Sequence, residues 1–116
     1  MYRYRDNAGS TQRSLDRLKH LPKLGKLLYV RGYVYFGRYH THHSAVIVRG
    51  ENGTARFDGF SWGYGGTGPN GLRRMLTGLG VSPEVVNKVA FATPWEVDGA
   101  KEAWKIDLTA TPSKES

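Results

Sequence analysis

Three groups of side chains in this chain have types and spacings that chemistry could use. The first is the stretch Gly59-Phe60-Ser61-Trp62-Gly63-Tyr64-Gly65-Gly66-Thr67-Gly68-Pro69-Asn70-Gly71, six glycines and three aromatics in thirteen residues. Glycine serves where a backbone must turn through positive φ or approach something closely. Gly63-x-Gly65-x-x-Gly68 matches the dinucleotide fingerprint, but that motif needs a parallel βαβ unit and an acid closing the next strand. The strands here read as antiparallel, and Glu84 sits at a helix start. No Gly-Lys-Ser/Thr follows, which excludes a Walker loop. A generic anion site survives: the backbone amides of Gly65, Gly66, Thr67 and Gly68 at a helix start, with Arg73 and Arg74 one turn on. The competing use of the loop is a rigid connector whose Trp62 and Tyr64 plug the core.

The second group is a row on one strand. From Leu27 to Tyr39 the chain alternates with period two. Leu28, Val30, Val34 and Phe36 point one way, with Gly32 in the gap and a bulge or bend expected there. Tyr29, Arg31, Tyr33, Tyr35 and Tyr39 point the other way. Rings on a sheet surface are a platform on which bases stack. Tyrosine's strand propensity produces the same row on any half-buried face, so the row is packing or platform.

The third group is His40-x-His42-His43. Two imidazoles can start a zinc or nickel site, but the remaining ligands, Asp58 among the candidates, must come from elsewhere. A histidine there could equally act as acid or base near neutral pH. With no cysteine and no His-Glu-x-x-His, the cluster reads as a polar turn between strands, and no metal or cofactor is assigned. Ser44, Ser61 and Thr67 lack a nucleophile context such as Gly-x-Ser-x-Gly. The carboxylates are too scattered for a glycosidase pair. No catalytic residue is therefore assigned.

The elements that must position these groups follow from pattern. Ser10 or Thr11 caps a basic amphipathic helix over 11–21, stopped by Pro22, with Leu15, Leu18 and Leu21 on one side and Arg13 and Arg17 among the cations around the rest. Strands are expected at 27–39, 44–49 and 55–60, the last two joined by an Asn52-Gly53 hairpin turn. Leu72, Met75, Leu76 and Leu79 form the stripe of a helix after the glycine stretch, ended at Gly80. Ser82-Pro83-Glu84 opens another helix. Residues 103–110 alternate as a last strand. The expected architecture is α+β: an antiparallel meander of about four strands with two or three helices on one face. Residues 1–116 make a single domain, with 1–9 and 111–116 flexible.

Composition narrows the partner. The net charge of +7 is uneven: residues 1–49 carry ten Lys/Arg against Asp6 and Asp16, whereas residues 50–116 are nearly balanced. A basic half suggests a face that meets an anion. The N-terminus lacks the apolar run of a signal peptide, and no stretch approaches a membrane span, so a soluble cytoplasmic protein is expected.

The run from Gly59 to Pro69, followed by Leu72 and Leu76, resembles a family of small, functionally uncharacterised phage, plasmid and bacterial proteins. Their signature is Gly-Phe-x-Trp-Gly-Tyr-x-Gly-Ser/Thr-Gly-Pro before a leucine-rich helix. The resemblance covers about residues 44–80. Asn70-Gly71 and Arg73-Arg74 depart from the family's alanine-rich helix, and the basic N-terminal half departs as well. The resemblance implies a mobile-element context and carries no activity. The expectation drawn from residues and resemblance together is a non-enzymatic binder of an anionic partner, either nucleic acid or a nucleoprotein. An inhibitor of a host defence complex, such as an anti-CRISPR protein, fits, though the charge excludes an acidic DNA mimic. Its contacts are expected at Arg13, Arg17, Arg31, Tyr33, Tyr35, Arg73 and Arg74. The alternatives are a nucleotide-binding or nucleotide-hydrolysing glycine loop, with Thr67 and a histidine, and a homodimer built on the tyrosine row.

Overall fold

The computed structural model describes residues 2–5, 10–36, 42–62, 66–91 and 101–109. In chain order these form strand β1 (Tyr2–Arg5), helix α1 (Thr11–Asp16) running into a 3₁₀ segment (Arg17–Leu24), strands β2 (Leu27–Phe36), β3 (His42–Gly50) and β4 (Gly53–Phe57), helices α2 (Thr67–Gly78) and α3 (Pro83–Ala90), and strand β5 (Lys101–Asp107). The fold is α+β, with one five-stranded sheet in the order β1-β4-β3-β2-β5. The β2-β3-β4 meander is as expected, and β5 adds antiparallel to β2. The expectation of a purely antiparallel sheet of four strands is corrected, because β1 pairs parallel with β4 and makes the sheet mixed.

That strand lies within residues expected to be flexible. Tyr2 and Tyr4 alternate with Arg3 and Arg5, so period two is present, but over four residues and in polar company. Long-range contacts supply what local pattern lacks. The Tyr2 amide donates to the Asn52 carbonyl at 2.7 Å. Tyr4 stacks on His20 with ring centroids 4.2 Å apart. The tail 111–116, also expected to be flexible, lies outside the described residues.

Other boundaries shift for identifiable reasons. The first helix is α-helical only to Asp16 and then tightens into the 3₁₀ segment, which carries Pro22 inside it rather than ending there. Termination falls to Gly25 at φ 71°, in the left-handed region that suits glycine. The β3–β4 hairpin pairs Gly50 with Gly53, so its loop residues are Glu51 and Asn52, and Asn52-Gly53 is not its central pair. This loop is also tied to the end of the 3₁₀ segment and the link after it: the Glu51 amide donates to the Lys26 carbonyl and the Asn52 amide to that of Leu24. Ser82 caps α3 as expected, its hydroxyl accepting from the Val85 amide.

Alternation along the strands sets the core. Val30, Val34, Val46, Val48, Ala55 and Phe57 are buried and meet Leu21 and Leu24 of the 3₁₀ segment, Leu72, Met75 and Leu76 of α2, and Val86 and Val89 of α3. Every described helix therefore lies on one face of the sheet. Gly32 holds a place in that core for a ring. A Cβ at Gly32 would fall inside the Trp104 indole, and the β2–β5 register shifts between Gly32 and Tyr33. Trp104 in turn meets Trp62 edge-on, with centroids 5.4 Å apart.

Candidate nucleic-acid interface

The other face of the sheet carries no described helix. The residues that alternate with the core positions point there, and the pairing registers align them in two rows across the strands. One row runs Arg5, Arg56, Ile47, Arg31, Lys105 through β1, β4, β3, β2 and β5. The next runs Arg3, Thr54, Arg49, Tyr29, Asp107 in the same strand order. With strands about 4.8 Å apart, the rows span roughly 19 Å from edge to edge. Arg3, Arg5 and Lys105 are exposed, and Tyr29, Arg31, Tyr33, Arg49 and Arg56 are half-buried. Six cations thus share the face with the carboxylates Asp58 and Asp107, and the register adds Glu102 of β5 beside Tyr33.

Like charges on neighbouring strands repel, and the face has two devices that hold its cations in place. At the β1–β4 edge Asp58 bridges two arginines, with Oδ1 3.1 Å from Arg56 Nε and Oδ2 3.5 Å from Arg5 Nε. At the centre the cations also stand against rings. The Arg31 guanidinium carbon stands 5.0 Å from the Tyr29 ring centroid and 4.9 Å from that of Tyr33. The Lys105 ammonium stands 4.7 Å from the Tyr29 ring. A guanidinium over an aromatic ring is attracted by the ring quadrupole without losing its charge. Arg31 is therefore held in position between two rings and keeps its charge there. This is a different device from an open tyrosine platform: one face of Tyr33 and at least one face of Tyr29 already carry a cation.

The expected contact residues divide between the two sides of the molecule. Arg31 and Tyr33 lie together on the open face. Tyr35 continues β2 and pairs with His43. Arg13 and Arg17 belong to α1 and the start of the 3₁₀ segment, in the helical layer. Arg73 and Arg74 lie on α2 in the same layer. Arg73 bonds through Nη1 to the Asn87 side chain of α3 and stands 5.1 Å from the Phe91 ring, which commits it to the α2–α3 junction. Arg74 is exposed beside a cleft of ≈ 180 Å³ lined also by Thr11, Gln12 and Asn70. The seven residues do not form one surface. Arg3, Arg5, Arg49, Arg56 and Lys105, which share the face with Arg31, were not among those expected. Arg49 and Arg56 follow from the alternation of 44–49 and 55–60, whereas Arg3 and Arg5 required β1.

The glycine stretch acts as a connector where it is described. Phe60 and Trp62 are buried at 1% exposure each, in the core cluster. The Gly59 amide donates to Ser14 Oγ at 2.9 Å, and its carbonyl accepts from Thr11 Oγ1 at 2.7 Å. A Cβ at Gly59 would collide with the Ser10 carbonyl, and one at Gly71 with the Thr11 methyl. These two glycines let α1 settle against the stretch. Gly66 precedes α2 at φ 139°, Thr67 opens the helix and Gly68 is half-buried in its first turn. Gly65, with Gly63 and Tyr64, lies outside the described residues. The strand after these helices, β5, runs antiparallel to β2, and β2 and β4 each run antiparallel to β3. It therefore opposes β4, and the dinucleotide fingerprint lacks its parallel unit.

His42 and His43 lie within β3, which corrects their assignment to a turn; His40 lies outside the described residues. Among the described residues no three His, Cys, Asp or Glu side chains converge as metal ligands. Asp58 serves as an ion-pair partner. No described helix is long and apolar enough to cross a membrane. Comparison with protein-family models, curated proteins and solved structures finds no match to this chain.

Proposed function

We propose that this protein is a non-enzymatic binder of nucleic acid, or of the nucleic acid exposed on a nucleoprotein, and that it engages the phosphate backbone across the open face of its sheet. The observation that carries this reading is the register row Arg5, Arg56, Ile47, Arg31, Lys105, four cations and one isoleucine across the five strands, with Arg31 fixed between Tyr29 and Tyr33. A row of fixed cations is complementary to a chain of phosphates. Neutralising those phosphates releases counterions, which drives binding and makes it salt-dependent. The resemblance of the Gly59–Pro69 signature to small phage and plasmid proteins points the same reading toward a host nucleoprotein such as a defence complex.

The test is fluorescence anisotropy of labelled DNA and RNA over a salt series. Affinity should fall linearly on a log–log plot, and Arg31→Gln should reduce the slope by about 0.7–0.9, the contribution of one phosphate contact. Arg74→Gln, in the helical layer, should leave the slope unchanged. Absence of binding to every oligonucleotide at low salt would sink the proposal.

A further inference from the structure

We infer that the open face selects single-stranded over double-stranded nucleic acid, with Tyr33 as the stacking residue and Arg31 as its phosphate partner. The inference rests on the reading above and adds the strand class. A duplex shows a protein its phosphates, sugars and base edges, while the faces of its bases are stacked inside. Cations alone would serve it. This face instead centres its cations on rings: Tyr29, Arg31 and Tyr33 alternate on β2, the strand flanked by β3 on one side and β5 on the other. Only an unpaired base offers a π-face to such a ring.

The geometry distinguishes the two tyrosines. Tyr29 is engaged by both Arg31 and Lys105, at 5.0 and 4.7 Å from its centroid. Tyr33 is engaged by Arg31 at 4.9 Å, and its opposite face is turned away from that cation. It is half-buried, so part of it meets solvent. In register it is flanked by Ala45 on β3 and by Glu102 on β5. A base stacked on that face would leave its phosphate one step along the row, toward Arg31. Among the described residues no helix lies on this side of the sheet to enter a groove.

The experiment compares oligothymidylate, oligouridylate and a mixed-sequence duplex, each of about 20 residues per strand so as to exceed the ~4–16 nucleotides that one such module occupies. All are measured by anisotropy at the same salt, with the wild type, Tyr33→Leu and Tyr33→Phe. Leucine keeps an apolar β-compatible side chain and removes the ring, and circular dichroism confirms folding. The single strands should bind more tightly than the duplex. Tyr33→Leu should weaken single-strand binding by about 5- to 140-fold, the worth of one stacked base, and duplex binding by clearly less, because the duplex loses only one of the two rings that hold Arg31. Tyr33→Phe should bind like the wild type. The two single-stranded arms show whether the ligand is DNA or RNA. If duplex binds as well as single strands, or Tyr33→Leu binds single strands normally, the inference is overturned while the proposed function stands. If no nucleic acid binds, the proposed function itself fails.

Discussion

Replacing Asp58 with asparagine should tighten nucleic-acid binding while making the free protein less stable. Asp58 neutralises Arg5 and Arg56 at 3.5 and 3.1 Å. A phosphate arriving on the solvent side of those guanidiniums takes over the carboxylate's task, and the carboxylate then repels it. Allowing about 4 Å for each charge contact places the phosphate ~8 Å from the carboxylate, where two unit charges repel by ~0.5 kcal/mol in water and ~2 kcal/mol at an effective dielectric constant of 20. Screening over a Debye length of about 8 Å at physiological salt leaves roughly a third of that. With two phosphates in range, the gain is ~0.4–1.4 kcal/mol, or about 2- to 10-fold in Kd. In the free protein the substitution removes two partly exposed ion pairs at ~0.2–1 kcal/mol each and leaves Arg5 facing Arg56 across the β1–β4 pair. Thermal melting should therefore fall, and added oligonucleotide should recover part of it. Asp16→Asn is the control, because it raises the net charge equally but sits in α1, bonded to Gln12 in the helical layer. If Asp58→Asn binds no better than the wild type, or Asp16→Asn gains as much, the open-face assignment is wrong and any binding follows bulk charge alone.

Two further perturbations test the framework beneath that face. Gly32→Val forces a side chain into the space of the Trp104 indole; it should cost at least the ~1–3 kcal/mol typical of overpacking, read as a lower urea midpoint, and an unchanged midpoint would mean that β5 does not pack there. His20 makes stability depend on pH: desolvation by burial, and then the charges of Lys23, Lys19 and Arg17, lower its pKa from 6.5. In the window below 6.5 the unfolded chain binds the proton and the folded one does not, so this contribution is complete above pH 6.5 and is lost as pH falls toward the lowered folded value. His20→Gln should flatten the melting temperature between pH 7 and 5; the same decline in the variant would refute the assignment.

The strand alternation and helix stripes were legible in the sequence because each is a local periodicity against one core. Val30 and Val34 inward with Tyr29, Arg31 and Tyr33 outward, and Leu72, Met75 and Leu76 along α2, needed no partner to be recognised. What was not legible depends on contacts distant in sequence. Four residues from Tyr2 to Arg5 have little strand signal of their own; they become a strand because β4 leaves an edge open and His20 offers Tyr4 a stacking partner. Pro22 reads as a helix stop because an α-helical amide would be lost there, and the tighter 3₁₀ segment accommodates it. The site divides along the same line. Arg31 and Tyr33 came from one strand's pattern, whereas grouping them with Arg13, Arg17, Arg73 and Arg74 took basicity along the chain for proximity in space.

Charge in this protein sorts by strand parity rather than by which half of the chain carries it. The basic N-terminal half sends Arg3, Arg5, Arg31 and Arg49 through the sheet to the open face and leaves Arg13, Arg17, Lys19 and Lys23 among the helices. The C-terminal half, nearly neutral in sum, still contributes Arg56 and Lys105 to that face. Strand β1 links the two layers. Tyr2 and Tyr4 face the 3₁₀ segment, where Tyr2 Oη lies 3.4 Å from His20 Nδ1 and Tyr4 stacks on the same ring. Arg3 and Arg5 extend the two cation rows on the other side. The strand that had the least local reason to form therefore supplies two of the six cations, and its docking depends on a histidine surrounded by positive charge. Acidification that protonates His20 should loosen β1, and nucleic-acid affinity should fall with it below pH 6.5 even though the protein's net positive charge has risen. Simple electrostatics predicts the opposite sign, so the pH dependence of binding, compared between wild type and His20→Gln, decides whether the open face acts as an assembled site or only as a sum of charges.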